Sequence, residues 1–204
     1  ETVARLEKEK DAFDGVILAS AKKTFFAGAE LKDVVKLTTA EGPQMFREIE
    51  AIKADFRKLE KLGKPVVAAI AGTALGGGFE ITLAAHCRIC VDDPKIQLGF
   101  PEVTLGLIPG ASGITKMTRL LGLMGAQPYI LESRLFNPRQ AHELGLVDEL
   151  VADAAALRPA ALTWIAAHPV SLQPWDDKNY KIPGGLPSNP KIAQALAAAP
   201  AMMK

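Results

Sequence analysis

An apolar run that opens into three consecutive glycines constrains this chain more than any other feature. The run is Pro65-Val-Val-Ala-Ala-Ile70, the glycines are Gly76, Gly77 and Gly78, and Glu80 follows two residues later. A short β-branched apolar stretch bounded by turn residues reads as a buried strand. Phe79 to Ala85 reads as a helix. Glycines at such a junction leave bare backbone beside a helix start, where free N–H groups and the macrodipole favour negative charge. Two readings follow. One is a tight turn with close helix–strand packing. The other is an anion-stabilising pocket with a carboxylate next to it.

Nucleotide-binding motifs do not fit. In G-x-G-x-x-G spacing Gly76 and Gly78 supply two positions, but the third falls on Ile81. No Gly-Lys-Ser/Thr follows, so there is no phosphate loop. The 204 residues suit one domain with a sizeable core, and 49% hydrophobic residues exclude disorder. With 24 basic and 23 acidic residues the net charge is +1. That balance argues against a general nucleic-acid or membrane-surface binder. No apolar run approaches the ~20 residues of a membrane span. The start, Glu1-Thr-Val-Ala-Arg5, has no secretory pattern and no initiator Met, so the chain reads as a fragment or a processed product. Cys87 and Cys90 have C-x-x-C spacing, but nothing completes a metal site. On a strand they would lie ~10 Å apart on opposite faces, too far for a disulfide. Both read as small core residues in a reducing, cytoplasmic setting.

Strands and helices alternate along the chain, which implies an α/β class. Helical patterns cover residues 3–12, 41–62, 79–85, 126–132, 138–144 and 154–167. Ser112 is positioned to cap a helix ending near Gly122. Another helix begins at Glu30. Strand patterns cover Asp14–Ser20, Pro65–Ile70, Arg88–Val91 and Leu146–Val151. The helix over 41–62 is amphipathic, with Phe46, Ile49, Phe56 and Leu59 among its apolar positions and charges alternating on a solvated face. From His168 onward Pro and Gly accumulate, and the segment reads as extended and irregular up to a short Ala-rich helix at Lys191–Ala198.

A second carboxylate sits in Gln97-Leu-Gly-Phe-Pro-Glu102-Val-Thr-Leu-Gly-Leu-Ile-Pro-Gly110. Pro101 fixes the backbone before Glu102. Amid apolar residues such a carboxyl acquires a raised pKa and can shuttle a proton near neutral pH. By itself it is equally an ordinary capping or surface glutamate.

Taken in order, Ala27-Gly-Ala-Glu-Leu31, Gly72-x-Ala-Leu-Gly-Gly-Gly-Phe-Glu80, Pro101-Glu102, Leu105-Gly-Leu-Ile-Pro-Gly110 and Ala141-x-x-x-Gly-Leu-Val147 resemble the enoyl-CoA hydratase/isomerase (crotonase) family. The resemblance spans roughly residues 14 to 151. It implies a spiral of ββα units with a C-terminal helical segment and a CoA thioester bound across it. By resemblance, the N–H groups of Ala29 and Gly77 form the oxyanion hole. Ala27, Gly28, Gly76, Pro109 and Gly110 line the substrate, and a side chain at position 77 would clash with it. Glu80 orients and deprotonates water while Glu102 delivers a proton to the α-carbon. A developing enolate needs two preorganised donors of this kind. Two carboxylates at one water are coupled, so their pKa values belong to the pair. Relatives with both carboxylates typically hydrate, and simple double-bond isomerases tend to keep the one matching Glu102. The family implies no metal or redox cofactor, since CoA arrives as part of the substrate, and a trimer, a hexamer or a multifunctional oxidation complex.

His168-Pro-Val-Ser-Leu-Gln-Pro-Trp-Asp-Asp177 and Lys181-Ile-Pro-Gly-Gly185 resemble the segment leaving the hydratase half of multifunctional fatty-acid oxidation α-subunits. The expected division is therefore a hydratase domain over 1–167 and an extension toward a dehydrogenase half over 168–204. The family's first strand and helix are missing ahead of Glu1. Ala71, Glu30, Ser112, Ser133 and Arg134 depart from the usual family residues without removing a proposed catalytic group. The expected function is hydration of trans-2-enoyl-CoA in fatty-acid β-oxidation. Alternatives are enoyl-CoA isomerisation, another CoA-thioester reaction, or a non-catalytic RNA- or partner-binding role. A hydrolase is disfavoured, because Gly110-Ala-Ser-Gly-Ile114 lacks the last glycine of a nucleophile elbow. His86, His142 and His168 have no spacing that names a base and read as structural.

Overall fold

A computed structural model describes residues 1–28 and 38–202 of the chain. The helix expected from Glu30 to Leu37 lies outside the described residues. Four strands form a parallel sheet in the order β1 (Val16–Ala19), β2 (Val66–Ile70), β4 (Cys87–Val91), β6 (Glu149–Val151). In register, Val16 faces Val66, Val67 faces Cys87, and Ile89 faces Glu149. Every residue of β2 and β4 is buried. Burial on both faces is why these strands read as continuous apolar runs rather than alternating ones. Cys87 and Cys90 are free thiols in β4, and burial pushes both up to about 12.

Seven α-helices are described: α1 (Thr2–Lys8), α2 (Gly42–Glu60), α3 (Gly77–Thr82), α4 (Gly113–Leu131), α5 (Pro138–Glu143), α6 (Ala154–Ala167) and α7 (Pro190–Met202). Asp153 caps α6 by accepting from the Ala156 N–H, and α6 packs across β2 and β4. Asn137 and Gln140 form a reciprocal capping box at α5. Within α4, Gly122 has non-helical angles (φ 77°, ψ 168°), so the helix breaks where the sequence places its end. A Cβ at Gly122 would stand 2.1 Å from the Pro183 carbonyl oxygen, so the break also seats the tail.

Two expectations are corrected. Ser112 does not cap α4: its side chain makes no capping bond, its backbone is left-handed (φ 93°), and its buried Oγ has no partner among the described residues. In α2, Phe46 is 66% exposed, and only the end containing Leu59 and Glu60 is buried. The amphipathic face of α2 is thus covered at one end only.

A second, two-stranded parallel sheet pairs β3 (Ala74–Leu75) with β5 (Leu98–Gly99). Phe26 bridges to Ala74 on one side and Phe136 to Leu98 on the other. Behind it Phe79 packs on Phe100 and Phe136, with ring centroids 5.3 and 6.0 Å apart. This small sheet carries the glycine turn, and the aromatic cluster holds it rigid.

The tail from His168 is irregular but docked. Gln173 is buried, and its Nε2 donates to the carbonyls of Ala84 (3.2 Å) and Ala85 (3.0 Å), just past α3. The Arg57 guanidinium donates to both carboxylate oxygens of Asp176, and the Tyr180 hydroxyl donates to the Arg119 carbonyl.

Candidate active site

The three glycines do different work. Gly76 precedes α3 with φ 56° and ψ −128°, and its N–H donates to the Gly99 carbonyl at 2.9 Å. A Cβ there would lie 2.7 Å from Glu102 Oε1. At Gly78 a Cβ would stand 1.9 Å from the Phe26 carbonyl oxygen. Both positions demand glycine, one for conformation and one for close backbone approach. Gly77 is the roomy one: a Cβ would meet only Phe26 Cε1 at 3.8 Å and Glu80 Oε2 at 4.0 Å. Its N–H, the first of α3, has no acceptor among the described residues. Packing therefore accounts for Gly76 and Gly78 and leaves the donor at Gly77 unexplained by the fold.

Phe26 sets the neighbouring segment. Its carbonyl accepts from the Leu75 N–H at 3.0 Å. Ala27 and Gly28 follow, and a Cβ at Gly28 (φ 86°) would lie 3.5 Å from the Leu75 carbonyl oxygen. The loop expected to line the substrate thus runs beside the glycine turn. Ala29, the other expected oxyanion donor, lies outside the described residues.

Glu80 is 2% exposed, on the buried face of α3. Its Oε1 accepts from the Gly113 N–H at 2.7 Å, at the start of α4. Burial pushes its pKa up, while the N–H groups of Gly113 and Ala111 and the charges of Lys116 and Lys53 pull it down. Glu102 opens a 3-10 turn, Glu102–Leu105, pinned by the Leu107 N–H on the Glu102 carbonyl at 3.0 Å. Its buried Oε2 has no hydrogen-bond partner among the described residues. Burial, seconded by the Glu80 charge, pushes its pKa up to about 7, against a downward pull from its own N–H. Pro109 is buried near the end of this loop, and a Cβ at Gly110 would make only ordinary contact with Ile49, at 3.7 Å. The two carboxyls, from separate elements, therefore face the same glycine turn, Glu102 at Gly76 and Glu80 at Gly77.

The histidines are structural. His86 Nδ1 accepts from the Val66 N–H (3.0 Å) and its Nε2 lies 3.0 Å from the Glu60 carbonyl oxygen, which fixes the neutral tautomer with the proton on Nε2. His142 and His168 each bond a backbone carbonyl through Nδ1. Among the described residues no three His, Cys, Asp or Glu side chains gather as a metal site, and no helix is long and apolar enough to cross a membrane. Sequence reading missed the buried cation Lys116, whose charge bears on Glu80. The signal was present: Lys116 stands alone in the apolar stretch Gly113-Ile-Thr-Lys-Met117.

The model of the enoyl-CoA hydratase/isomerase family matches residues 1–169. An enoyl-CoA hydratase from Bacillus anthracis is 32% identical, with a TM-score of 0.68 over 81% of this chain and 64% of that one. Pseudomonas aeruginosa DspI is 29% identical, with a TM-score of 0.71 over 81% and 66%. An enoyl-CoA hydratase from Thermoplasma volcanium GSS1 is 27% identical, with a TM-score of 0.67 over 80% and 66%. The chain spans just under two thirds of the length of each. It belongs to the enoyl-CoA hydratase/isomerase, or crotonase, family, and its two parallel sheets and helices have the crotonase fold.

Proposed function

We propose that this chain adds water to trans-2-enoyl-CoA thioesters. The observation that carries the reading is two carboxyls in different environments at one glycine turn, Glu80 buried and Glu102 half-buried. Glu80 accepts from the Gly113 N–H and is suited to a base. Glu102 is pushed up to about 7 and is suited to hold a proton. The thioester oxygen would accept from Gly77 N–H and, in the expected arrangement, Ala29 N–H, which stabilise the enolate as charge develops. Water would lose a proton to Glu80 as its oxygen bonds the β-carbon. Glu102 would then give its proton to the α-carbon. The pair would return to its starting state by exchanging a proton with solvent.

Isomerisation is the second reading. It is favoured by Glu102 Oε2, which has no partner among the described residues and could carry a proton between two carbons without help from Glu80. Residues 1–167 would perform the chemistry, with 168–204 an extension resembling the lead toward a dehydrogenase half. A place in fatty-acid β-oxidation and assembly as a homo-oligomer or within a multifunctional complex belong to the same proposal.

The test is loss of conjugated enoyl-thioester absorbance with short- and long-chain trans-2-enoyl-CoA, beside Glu102→Gln. Loss with the wild type alone supports hydration at this site. No loss in a folded wild type defeats it, and 3-enoyl-CoA then tests isomerisation.

A further inference from the structure

Gln173 reaches deeper into the domain than its place in the tail suggests. Its neighbours Leu172 and Pro174 are exposed, yet Gln173 is only 2% exposed. A glutamine amide has two N–H donors, and Gln173 Nε2 donates to the carbonyls of Ala84 at 3.2 Å and Ala85 at 3.0 Å. Those carbonyls close the turn that follows α3. The Ala84 N–H donates to the Ile81 carbonyl and the Ala85 N–H to the Thr82 carbonyl, both at 3.1 Å. Thr82 Oγ1 donates to the Phe79 carbonyl at 2.7 Å. Hydrogen bonds thus lead from Gln173 to the residues on either side of Glu80. Helix α3 has six residues, too few to be stable by itself, and the last carbonyls of a helix need outside donors. Ala85 also accepts from Arg88 Nη1 at 3.0 Å. Among the described residues Gln173 is the one donor to the Ala84 carbonyl.

The same stretch of tail is tied to the helices around the site. Asp176 Oδ2 accepts from Arg57 Nη1 of α2 at 2.9 Å. The Tyr180 hydroxyl donates to the Arg119 carbonyl of α4, and the Arg119 guanidinium stands 5.4 Å from the centroid of the Trp175 ring. The Pro183 carbonyl occupies the space that a side chain at Gly122 of α4 would need. Helix α4 begins at Gly113, whose N–H donates to Glu80 Oε1 at 2.7 Å. The tail therefore holds both partners of that bond: the end of the helix that carries Glu80 and the middle of the helix that grips its carboxyl. The family match stops at residue 169, ahead of every tail residue in these contacts.

We propose that residues 173–183 are a strap that completes the active site, with Gln173 as its positioning residue. By fixing the end of α3 against α4, the strap keeps Glu80 on the Gly113 N–H. The catalytic part of this role rests on the hydratase reading above. The catalytic unit then runs past the boundary expected at residue 167. A docked tail that only added buried area would stabilise the whole domain alike, whereas a strap acts first on the bond between Glu80 and Gly113.

The experiment measures amide hydrogen exchange at Gly113 by NMR, well below the thermal midpoint of each protein. Wild type is compared with Gln173→Met, which keeps an unbranched side chain and removes its donors. The control is Leu157→Ala, a truncation of a buried residue on α6 that weakens the domain elsewhere. Gly113 should exchange roughly tenfold faster in Gln173→Met and at the wild-type rate in Leu157→Ala. In Gln173→Met kcat for hydration should fall about tenfold, because small misplacements of reacting groups cost rate, with KM within about twofold of wild type. Unchanged Gly113 exchange in folded Gln173→Met, or equal acceleration in Leu157→Ala, overturns the strap. An unchanged kcat in Gln173→Met removes the positioning role. Should Gln173→Met lose its fold, Asp176→Asn loosens the strap from the Arg57 side, and unchanged Gly113 exchange there overturns it as well. A folded wild type that never hydrates defeats the hydratase reading instead, and Gly113 exchange still reports whether the tail holds α3 against α4.

Discussion

Glu80 and Glu102 are the same residue type facing the same turn, yet the fold treats them in opposite ways. Glu80 projects from a helix built into the core, accepts from the Gly113 N–H and has cations behind it. Glu102 rides a short turn in a loop whose Val103, Leu105, Leu107 and Ile108 are exposed, and its Oε2 has no hydrogen-bond partner among the described residues. Burial raises both carboxyls, but Glu80 is pulled back by two backbone N–H groups and two lysines, Glu102 by its own N–H alone. Identical carboxyls therefore meet different electrostatic surroundings because of their supports and not their own chemistry. In the proposed hydration, the more deeply buried element would carry the base and the more exposed one the acid.

The sharpest way to break this contrast is Glu102→Gln. It should lower kcat by about 10²–10⁴-fold with the fold retained; retained turnover would remove Glu102 from the chemistry. Next is the turn itself. Gly77→Pro deletes one donor and should cost about 10²–10³ in kcat. Gly78→Ala drives a methyl into the Phe26 carbonyl and should destabilise by roughly 3 kcal/mol in a urea titration. On the Glu80 side, Gln173→Ala removes the side-chain donor to the Ala84 carbonyl and one of the two donors to the Ala85 carbonyl, which keeps Arg88, and should cost about 2 kcal/mol. On the Glu102 side, Thr104→Ala removes only an exposed bond to the Pro101 carbonyl and should cost under about 1 kcal/mol. Equal losses at these two positions would erase the distinction between a rigid and a loose support.

pH sharpens the same comparison. With Glu102 near 7, hydration that needs its proton should fall as pH rises through about 7. Stability moves with it. Between about pH 4.5 and 7 the folded chain keeps a proton on Glu102 that the unfolded chain has released. Folding stability therefore declines as pH climbs through that window. In Glu102→Gln that slope should flatten.

Much of the architecture was legible because its signals are local. Helix α6 runs over Ala154–Ala167 as its pattern predicts, with Asp153 supplying the cap. Strands β2 and β4 announce themselves as unbroken apolar runs because both faces are covered. Strand β3 escaped because two residues are too short to show a period, and β5 was readable only as short strand somewhere within Pro94–Pro109. Ser112 misled because a hydroxyl before a helix usually caps it, whereas here the backbone is left-handed and the Oγ has no partner among the described residues. Both carboxylates and the glycine turn were recognisable from motif order. Their supports were not. Arg57 meets Asp176 across 119 positions and Gln173 meets Ala84 across 89, and no periodicity encodes such pairs. The glycines carried a mixed message, since crowding explains Gly76 and Gly78 while Gly77 has room to spare.

The two thiols of β4 have a practical consequence. Cys87 and Cys90 sit at the middle of the parallel sheet, with both sulfurs held far from the reactive thiolate form. An alkylating reagent meets neither until the strands part. The rate of their modification is thus a built-in clock for opening of the whole domain. It can time the damage done by any substitution above without a label being introduced.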